Sequence, residues 1–362
     1  MKEIEAIVNA YHKIDFSATR ASLATVVRVE GSSYRRMGAR MLVLDNGTYL
    51  GGISGGCLEG DALRRAQKAI ANGKPSIVTY DTTKDDGQQI GVGLGCNGII
   101  DVLFTPLDSK DKNNPVLMLA SLVTTREPRI LVTIADAPTH LGQTILFDDE
   151  AQFLEKFPLQ KIKNAVLEKI KHVAQTNTSL SVSLEDDTLR VFVECLVPAT
   201  HLVVYGGNYD IYSVVQLARN LGWNVTVVMN VHKADKSLFA LGASVLHNKG
   251  SEAPLIDAFT ALILMAHDYK TDLENLQKLL PSPTRYIGLL GPKKRSQKMF
   301  DALNDANMPI SESNQTRIFA PAGLDIGAQT PEEIALSIIA EIKCCFSGRE
   351  GKALKWREGT IY

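Results

Sequence analysis

Short apolar runs separated by glycine-rich and polar segments make up the first part of the chain. Such runs lie at 23–29, 39–44 and 99–104. Their length and the turn residues around them predict strands. After the second run, apolar residues recur at steps of three and four, which predicts an amphipathic helix ending at Asn72-Gly73. These residues are Leu58, Ala62, Leu63, Ala66, Ala69 and Ile70. A mixed α/β domain is therefore expected.

A second stretch of the chain has a similar pattern. The apolar and polar positions of 132–148 resemble those of 26–45, and the run 189–196 also has a counterpart in the earlier stretch. The second copy lacks the glycine-cysteine segment that precedes the predicted helix. We therefore expect 1–198 to be one domain of two related halves, with the polar stretch 108–115 linking them.

From His201 onward, strands and helices are predicted to alternate. Unalternated apolar runs are typical of a parallel sheet covered on both faces. They lie at 202–205, 225–228, 261–265 and 286–290, with a helix at 214–221. The fold expected for 199–362 is a Rossmann-like doubly wound sheet. A capping threonine, a proline and an acid at 330–333 open a further helix, predicted over 330–346.

Composition narrows the range of partners. The 362 residues carry a net charge of −1 and contain no block of like charges, so neither nucleic acid nor a membrane surface is an expected partner. Apolar runs are far shorter than the roughly 20 residues of a membrane span. Five cysteines without zinc or disulfide spacing suit a reducing cytoplasm. They are Cys57, Cys96, Cys195, Cys344 and Cys345.

The segment Ser54-Gly55-Gly56-Cys57 lies where the first predicted helix begins. Free backbone N–H groups and the helix dipole favour a thiolate there, and the glycines allow a ligand to approach closely. Cys57 could be a nucleophile, a sulfur carrier or a soft metal ligand. The alternative is a buried cysteine packed behind a tight turn. The nearby charge of Glu59 weakens the case for a nucleophile.

Two further glycine-rich loops belong to the same domain. The loop after the first strand contains Ser32, Ser33, Arg35 and Gly38, and hydroxyls with arginines suit a phosphate or another oxyanion. A solvated surface turn is the alternative. A later loop, GVGLGCNG, brings Cys96 into a similar setting. We expect the loops to act together.

In the second domain, Gly206, Gly207 and Asn208 follow a strand and precede a helix, as in dinucleotide-binding turns. The G-x-G-x-x-G pattern needs glycine where Asn208 stands. The next strand ends in Asn230 instead of an acid that would bind a ribose. Binding of NAD(P) is therefore not expected.

Other polar side chains follow strands of the predicted sheet. His267 follows the run ALILMA, and Lys293, Lys294 and Arg295 follow YIGLL. Because ligands of open α/β sheets bind at the carboxyl ends of strands, these residues are candidates for binding an anionic molecule or partner. The alternatives are a solvated helix start and a hydrogen-bonded histidine at a strand end.

Taken together, these segments resemble the XdhC/CoxI family, the accessory proteins of xanthine dehydrogenase and related molybdenum hydroxylases. The resemblance covers nearly the whole chain. The motifs that carry it are GSSYRRMGARMLV, GGISGGCLEGDAL, GLGCNG, LVVYGGNYD, AHDYKTDLENL, YIGLLGPKKR and PAGLDIGAQTPEEIALSIIAEI.

The resemblance implies a homodimeric chaperone more than a turnover enzyme. Such a protein binds molybdenum cofactor, as molybdopterin or a dinucleotide form. It supports terminal sulfuration of the cofactor together with a cysteine desulfurase, and it delivers the product to an apo molybdenum hydroxylase. The family has an N-terminal cofactor-associated domain and a C-terminal Rossmann domain, in agreement with the two domains predicted from the pattern.

The family motifs also imply roles for individual residues. They fall on Gly55, Gly56, Cys57 and Glu59, on Arg35 and Gly38, and on Cys96. As a hypothesis, Cys57 helps to hold or sulfurate the metal centre, while Arg35, the nearby hydroxyls and the glycine N–H groups bind the pterin phosphate. Cys57 and Arg35 should then share one cavity.

The sequence departs from the family pattern at Asn208, Asn230 and Ala266, all of them in the Rossmann part. Two other functions remain open. The first is a NAD(P)-dependent oxidoreductase with His267 as proton donor. The second is a thiol redox protein in which Cys57 and Cys96 form a reversible disulfide.

Overall fold

The computed structural model describes residues 1–83, 98–184 and 188–358. The chain divides into two compact units, Met1–Pro198 and Ala199–Trp356, with Arg357 and Glu358 grouped with the first. In the described ranges, no helix combines the length and the apolar character that crossing a membrane requires.

The first unit begins with a helix and a five-stranded antiparallel sheet of order β3-β2-β1-β5-β4. The elements are α1 (Lys2–Tyr11), β1 (Ala21–Gly31), β2 (Arg40–Leu44), β3 (Tyr49–Gly51), α2 (Glu59–Asn72), β4 (Ser76–Asp81) and β5 (Gly98–Leu107). The apolar face predicted for α2 packs on the sheet, where Ala62, Ala66 and Ala69 are buried. Gly73 follows the helix with φ of 61°. This confirms the predicted helix and its end.

A four-stranded antiparallel sheet of order β7-β6-β9-β8 completes the unit. Its elements are α3 (Pro115–Val123), β6 (Arg129–Asp136), β7 (Thr144–Phe147), α4 (Glu150–Lys156), α5 (Lys163–Thr176), β8 (Leu180–Leu184) and β9 (Leu189–Leu196). Helix α5 packs on this sheet through Val166, Ile170 and Val173, which are all buried.

The two sheets follow the same plan. Strands β7, β6, β9 and β8 correspond in order to β2, β1, β5 and β4. The register shifts after Val26 in β1 and after Ile134 in β6. The amides of Gly38 and Gly142 donate to the carbonyls of these two residues, at 2.8 Å in each case. The resemblance of 132–148 to 26–45 therefore corresponds to one repeated strand-bulge-strand geometry.

Buried charges join the two sheets. The guanidinium of Arg40 on β2 pairs with the carboxylate of Glu194 on β9, and each side chain is only 5% exposed. Asp101 on β5 is fully buried and accepts hydrogen bonds from Arg28 and from Arg190 on β9. Because an unpaired charge at such a position is very costly, these contacts favour the observed packing of the sheets.

The second unit is a six-stranded parallel sheet of order β12-β11-β10-β13-β14-β15. Its strands are β10 (His201–Tyr205), β11 (Asn224–Met229), β12 (Ser244–His247), β13 (Thr260–Leu264), β14 (Tyr286–Leu289) and β15 (Ile318–Phe319). The two faces of the sheet carry separate apolar clusters. The predicted doubly wound Rossmann-like fold is confirmed.

Helices connect the strands of this sheet. They are α6 (Ile211–Asn220), α7 (Lys236–Ala240), α8 (Tyr269–Leu279), α9 (Lys293–Asp305), α10 (Glu312–Gln315) and α11 (Pro331–Ser347), with single 3-10 turns at Val231–Lys233 and Leu354–Trp356. Thr330 and Glu333 form the capping box that the sequence predicted for α11. The edge strand β15 is two residues long. The guanidinium of Arg317 beside it donates to the carbonyls of Ser282 and Thr284, at 2.7 and 3.0 Å.

Replacing Arg40 with methionine is expected to destabilise the first unit by about 3–5 kcal/mol, because the Glu194 carboxylate would stay buried without a partner. The double variant Arg40→Met/Glu194→Leu should recover most of this loss. Both tryptophans, Trp223 and Trp356, belong to the second unit, so tryptophan fluorescence would not report unfolding of the first. Hydrogen exchange in urea, measured on peptides of β2 and β9, is therefore the appropriate measurement.

The exposed pair of Arg20 and Asp45 provides a control, since the Arg20 side chain is 66% exposed. Arg20→Met should cost about 0–1 kcal/mol. If Arg40→Met/Glu194→Leu were as unstable as Arg40→Met alone, the loss could not be attributed to an unpaired Glu194 carboxylate.

Candidate functional site

The loop that carries Cys57 is held by one carboxylate. Glu59 is the first residue of α2, and its Oε1 accepts hydrogen bonds from the amides of Ser54 and Ile53 at 2.8 and 3.2 Å. Its Oε2 accepts a hydrogen bond from the Ser54 hydroxyl. A Cβ at Gly52 would lie 3.1 Å from Oε1, so the backbone is close to the carboxylate. Glu59 thus closes the loop, and its oxygens are engaged within it.

These contacts also set the ionisation of Glu59. Burial by itself would raise the pKa of the carboxyl. The hydrogen bonds from the Ser54 hydroxyl and from the Ser54 and Ile53 amides outweigh burial, and the pKa is lowered. The loop is consequently closed by a charged carboxylate at neutral pH.

The thiol of Cys57 is exposed. It is therefore not the buried cysteine that the alternative interpretation of the sequence expected. Its Sγ lies 3.5 Å from the Ser54 hydroxyl, and that hydroxyl also accepts hydrogen bonds from the amides of Gly56 and Leu58 at 3.2 and 3.1 Å. Gly56 has φ of 114°, a conformation that favours glycine. The Cys57 thiol is thus exposed to solvent on a loop whose backbone is held by hydrogen bonds to Ser54.

Cys57 lines a narrow cavity of about 20 Å³. Tyr34 forms one wall, and a Cβ on Gly55 would lie 3.2 Å from its ring, so only glycine fits beneath the tyrosine without displacing it. The other lining residues are Ser32, Ser33, Ser54, Leu58, Thr82, Gly98 and Ile100. The cavity brings together the predicted hydroxyls and the predicted thiol.

Arg35 lies in a larger neighbouring cavity of about 580 Å³. Its guanidinium pairs with the carboxylate of Glu3 on α1. The structure therefore does not bring Arg35 and Cys57 into the single cavity that we expected. Ser33 lines both cavities and joins them. The remaining lining residues are Val29, Gly31, Arg36, Met37, Asn177, Thr178 and Ser179.

Two other predicted residues lie elsewhere. Gly38 has φ of 83°, and a Cβ there would lie 2.5 Å from Oε1 of Glu194. Its position is at the packed junction of the two sheets, and it lines neither cavity. Cys96 and most of its glycine-rich loop lie outside the described residues.

Sequence reasoning missed that Asn177, Thr178 and Ser179 line the larger cavity. Asn177 follows α5 in a left-handed conformation, just as Gly73 follows α2. The repeat thus pairs the two segments, but it does not indicate that the segment after α5 meets the loop after β1.

In the second unit, Gly206, Gly207 and Asn208 line a cavity of about 370 Å³ at the carboxyl ends of the strands. A Cβ on Gly206 would lie 2.5 Å from the carbonyl oxygen of Met265, and one on Gly207 would lie 2.8 Å from Cε of Met229. Both glycines therefore permit close packing of strand ends.

His267 and Asp210 form a pair at the same edge. Nε2 of His267 lies 2.6 Å from Oδ2 of Asp210, and the histidine is held at φ of 59°. Oδ1 of Asp210 is buried and has no hydrogen-bond partner within the described ranges. A non-glycine residue in the left-handed region at a strand end is an uncommon conformation that often accompanies function.

The predicted cation cluster at the start of α9 separates into two parts. Arg295 donates to Oδ2 of buried Asp272 at 2.7 Å, whereas Lys293 and Lys294 are exposed. Burial raises the pKa of the Asp272 carboxyl, although the Ala266 amide and the charge of Arg295 oppose the rise. Arg295 is therefore committed to an internal ion pair.

The fold and these cavities define a two-unit α/β protein with a Rossmann-like second unit, and comparison with known proteins agrees. The model of the XdhC and CoxI family matches residues 17–81, and that of the XdhC Rossmann domain matches residues 202–342. The chain belongs to the XdhC and CoxI family.

Individual relatives cover most of the chain. It is 28% identical to a probable xanthine dehydrogenase subunit from Bacillus subtilis (strain 168), over 89% of this chain and 92% of that protein. It is 25% identical to the molybdenum cofactor insertion chaperone PaoD of Escherichia coli (strain K12), over 90% and 83%. A crystal structure from Bacillus halodurans, described as a xanthine dehydrogenase, matches with a TM-score of 0.73 at 27% identity and covers 97% of both chains.

Replacing Glu59 with glutamine should loosen the Cys57 loop by about 1–3 kcal/mol at pH 7, because hydrogen bonds to a charged acceptor are lost. The folded-state pKa of Glu59 is lowered, so its stabilisation is present above the unfolded pKa near 4.5 and disappears as the pH falls through the folded value. The difference between wild type and variant should therefore shrink as the pH falls below 4.5.

The measurement is hydrogen exchange of the amides of residues 52–58 across this pH range. Glu168→Gln is the matched control, since Glu168 is 71% exposed and its pair with Lys171 lies at the surface. A pH-independent difference at Glu59 would contradict the charged-carboxylate account.

Proposed function

We propose that this protein binds molybdenum cofactor, supports its sulfuration and inserts it into a xanthine dehydrogenase-type molybdenum hydroxylase. The observation that carries the proposal is the exposed Cys57 thiol, held in a narrow cavity that adjoins a larger one. Soft thiolate ligands suit soft metal centres. The Escherichia coli relative is a molybdenum cofactor insertion chaperone, which supports this role, and the Bacillus subtilis relative is a probable xanthine dehydrogenase subunit, which supports the class of partner.

The sizes of the two cavities indicate which of them could hold the cargo. The larger one, of about 580 Å³, falls within the range of roughly 300–1,000 Å³ that small-molecule sites occupy. The Cys57 cavity, of about 20 Å³, has room for little more than a water molecule. A pterin cargo therefore fits the larger cavity, with Cys57 next to it across Ser33.

Polar groups in the larger cavity suit the phosphate of the cargo. Ser33, Thr178 and Ser179 supply hydroxyls, and Arg35 and Arg36 supply cations. Since Arg35 already pairs with Glu3, a phosphate would share or replace that carboxylate. Ser32, Ser54 and the glycines of the Cys57 loop remain the proposed surroundings of the metal end, and Cys96 is proposed as a second thiol.

The partners in this proposal are an apo molybdenum hydroxylase that receives the cargo and a cysteine desulfurase that supplies sulfur. The protein would act as a homodimer in the cytoplasm, as a cofactor-maturation chaperone more than a turnover enzyme. The cargo is molybdopterin or its dinucleotide form.

A NAD(P)-dependent oxidoreductase is the alternative function, and the His267–Asp210 pair beside the cavity of the second unit is the observation that favours it. It predicts substrate-dependent change in nicotinamide absorbance, which the chaperone proposal does not. A thiol redox protein is a further alternative. It predicts a disulfide between Cys57 and Cys96, visible as the loss of two hydrogen masses on oxidation.

Changing Cys57 to serine should lower the molybdenum content of the purified protein by about tenfold or more, because a soft ligand is exchanged for a hard hydroxyl. Activation of a co-expressed apo-hydroxylase should fall with it. Elemental analysis of protein from a cofactor-sufficient host measures the first effect, and hydroxylase turnover measures the second.

Cys344→Ser is the matched control, because that thiol belongs to the second unit. It should leave both measurements unchanged. If Cys57→Ser and Cys96→Ser each retained wild-type molybdenum content and full activation, the assignment of the thiols would be wrong.

A further inference from the structure

The cavity of the second unit has no ligand assigned to it by the function proposed above. It lies at the carboxyl ends of β10, β11 and β13. In the strand order of this sheet, β10 and β13 are the neighbours at which the order reverses. Ligands of open α/β sheets bind in the crevice at that point. Five parts of the chain converge there, namely the turn after β10, the end of β11, the residues after β12, the turn after β13, and α8.

Charge is distributed unevenly around this cavity. Lys233 and Lys249 line the side formed by β11 and β12, and the described residues of that side contribute no lining carboxylate. The two lining carboxylates, Asp268 and Glu274, lie on the α8 side together with Lys278. Asp268 is already used as the cap of α8, where it accepts hydrogen bonds from the amide and hydroxyl of Thr271 at 2.8 and 2.6 Å. The side near β11 is therefore suited to an anion.

The end of β11 is where dinucleotide-binding sheets recognise the ribose. An acid there accepts a hydrogen bond from the 2′-hydroxyl, whereas a nearby cation accommodates a 2′-phosphate. This chain has Asn230 at that point, and its Oδ1 accepts a hydrogen bond from the His232 amide at 3.1 Å. Asn230 thereby begins the 3-10 turn that carries Lys233. A neutral amide with a lysine replaces the acid, which favours a phosphate over a hydroxyl.

The turn after β10, which lies between these two sides, offers less to a nucleotide. The space beside the Cα atoms of Gly206 and Gly207 is occupied by Met265 and Met229. Asn208 carries a side chain where a pyrophosphate would need a bare backbone. Recognition must then depend largely on the lysine side.

We propose that this cavity binds a nucleotide whose ribose carries a phosphate monoester, with Lys233 and Lys249 holding that phosphate. The ligand is defined by this group. The proposal departs from the expectation, based on Asn208 and Asn230, that NAD(P) does not bind. A nucleotide with a free ribose hydroxyl at the same place would lack the ion pairs and would bind more weakly.

Two matched ligand pairs test the proposal on the full chain by calorimetric titration. Adenosine 2′,5′-bisphosphate should bind about tenfold or more tightly than 5′-AMP, and NADP⁺ should exceed NAD⁺ by a similar factor. In Lys233→Gln/Lys249→Gln, each preference should fall to about twofold or less. Raising the salt concentration should weaken binding of the ligand with the ribose 2′-phosphate more than binding of its counterpart.

Lys236→Gln is the control variant, because this exposed lysine on α7 follows the same turn without lining the cavity. It should keep the wild-type preference, and thermal melting should show that all variants are folded. Equal affinity within both ligand pairs, or no binding of any of the four ligands, would overturn the proposal. Because neither lysine lies in the first unit, this result is separate from molybdenum content.

Discussion

The packing of two sheets around buried charges is the constraint on which the first unit depends. Arg40 and Glu194 face each other from different sheets with almost no exposure to water. Because each would be strongly destabilising alone, a packing of the sheets that separates the two charges is disfavoured. That packing brings the loop after β1 beside Asn177–Ser179, and the larger cavity exists because both halves supply its walls. The Arg40–Glu194 ion pair, which lines neither cavity, thus helps to form the larger one.

Within the first unit, a small motif presents the thiol. Ser54 receives hydrogen bonds from the Cys57 loop and donates one to Glu59, so hydroxyl and carboxylate act as a single brace. The family motif includes Glu59, and in the structure its carboxylate accepts hydrogen bonds from within the Cys57 loop. Arrangements of this kind allow an exposed cysteine to keep a defined position without being buried.

Local patterns in the sequence were sufficient for the elements whose signals are local. The spacing in α2, the capping box of Thr330 and the parallel strands were all predictable from neighbouring residues. Contacts between distant residues were not. The pairing of Arg35 with Glu3 on α1 and the close approach of Gly38 to Glu194 could not be predicted from the sequence. No periodicity encodes such pairings, because they depend on how whole sheets dock.

The sheet of the second unit ends on one side at β15, a strand of only two residues. An open strand edge is a template on which another molecule can add by backbone pairing. Two residues offer too short a template, and the guanidinium of Arg317 occupies carbonyls of the adjoining segment. On this side, a parallel sheet rich in valine, leucine and isoleucine therefore offers little free backbone for pairing with a neighbouring molecule.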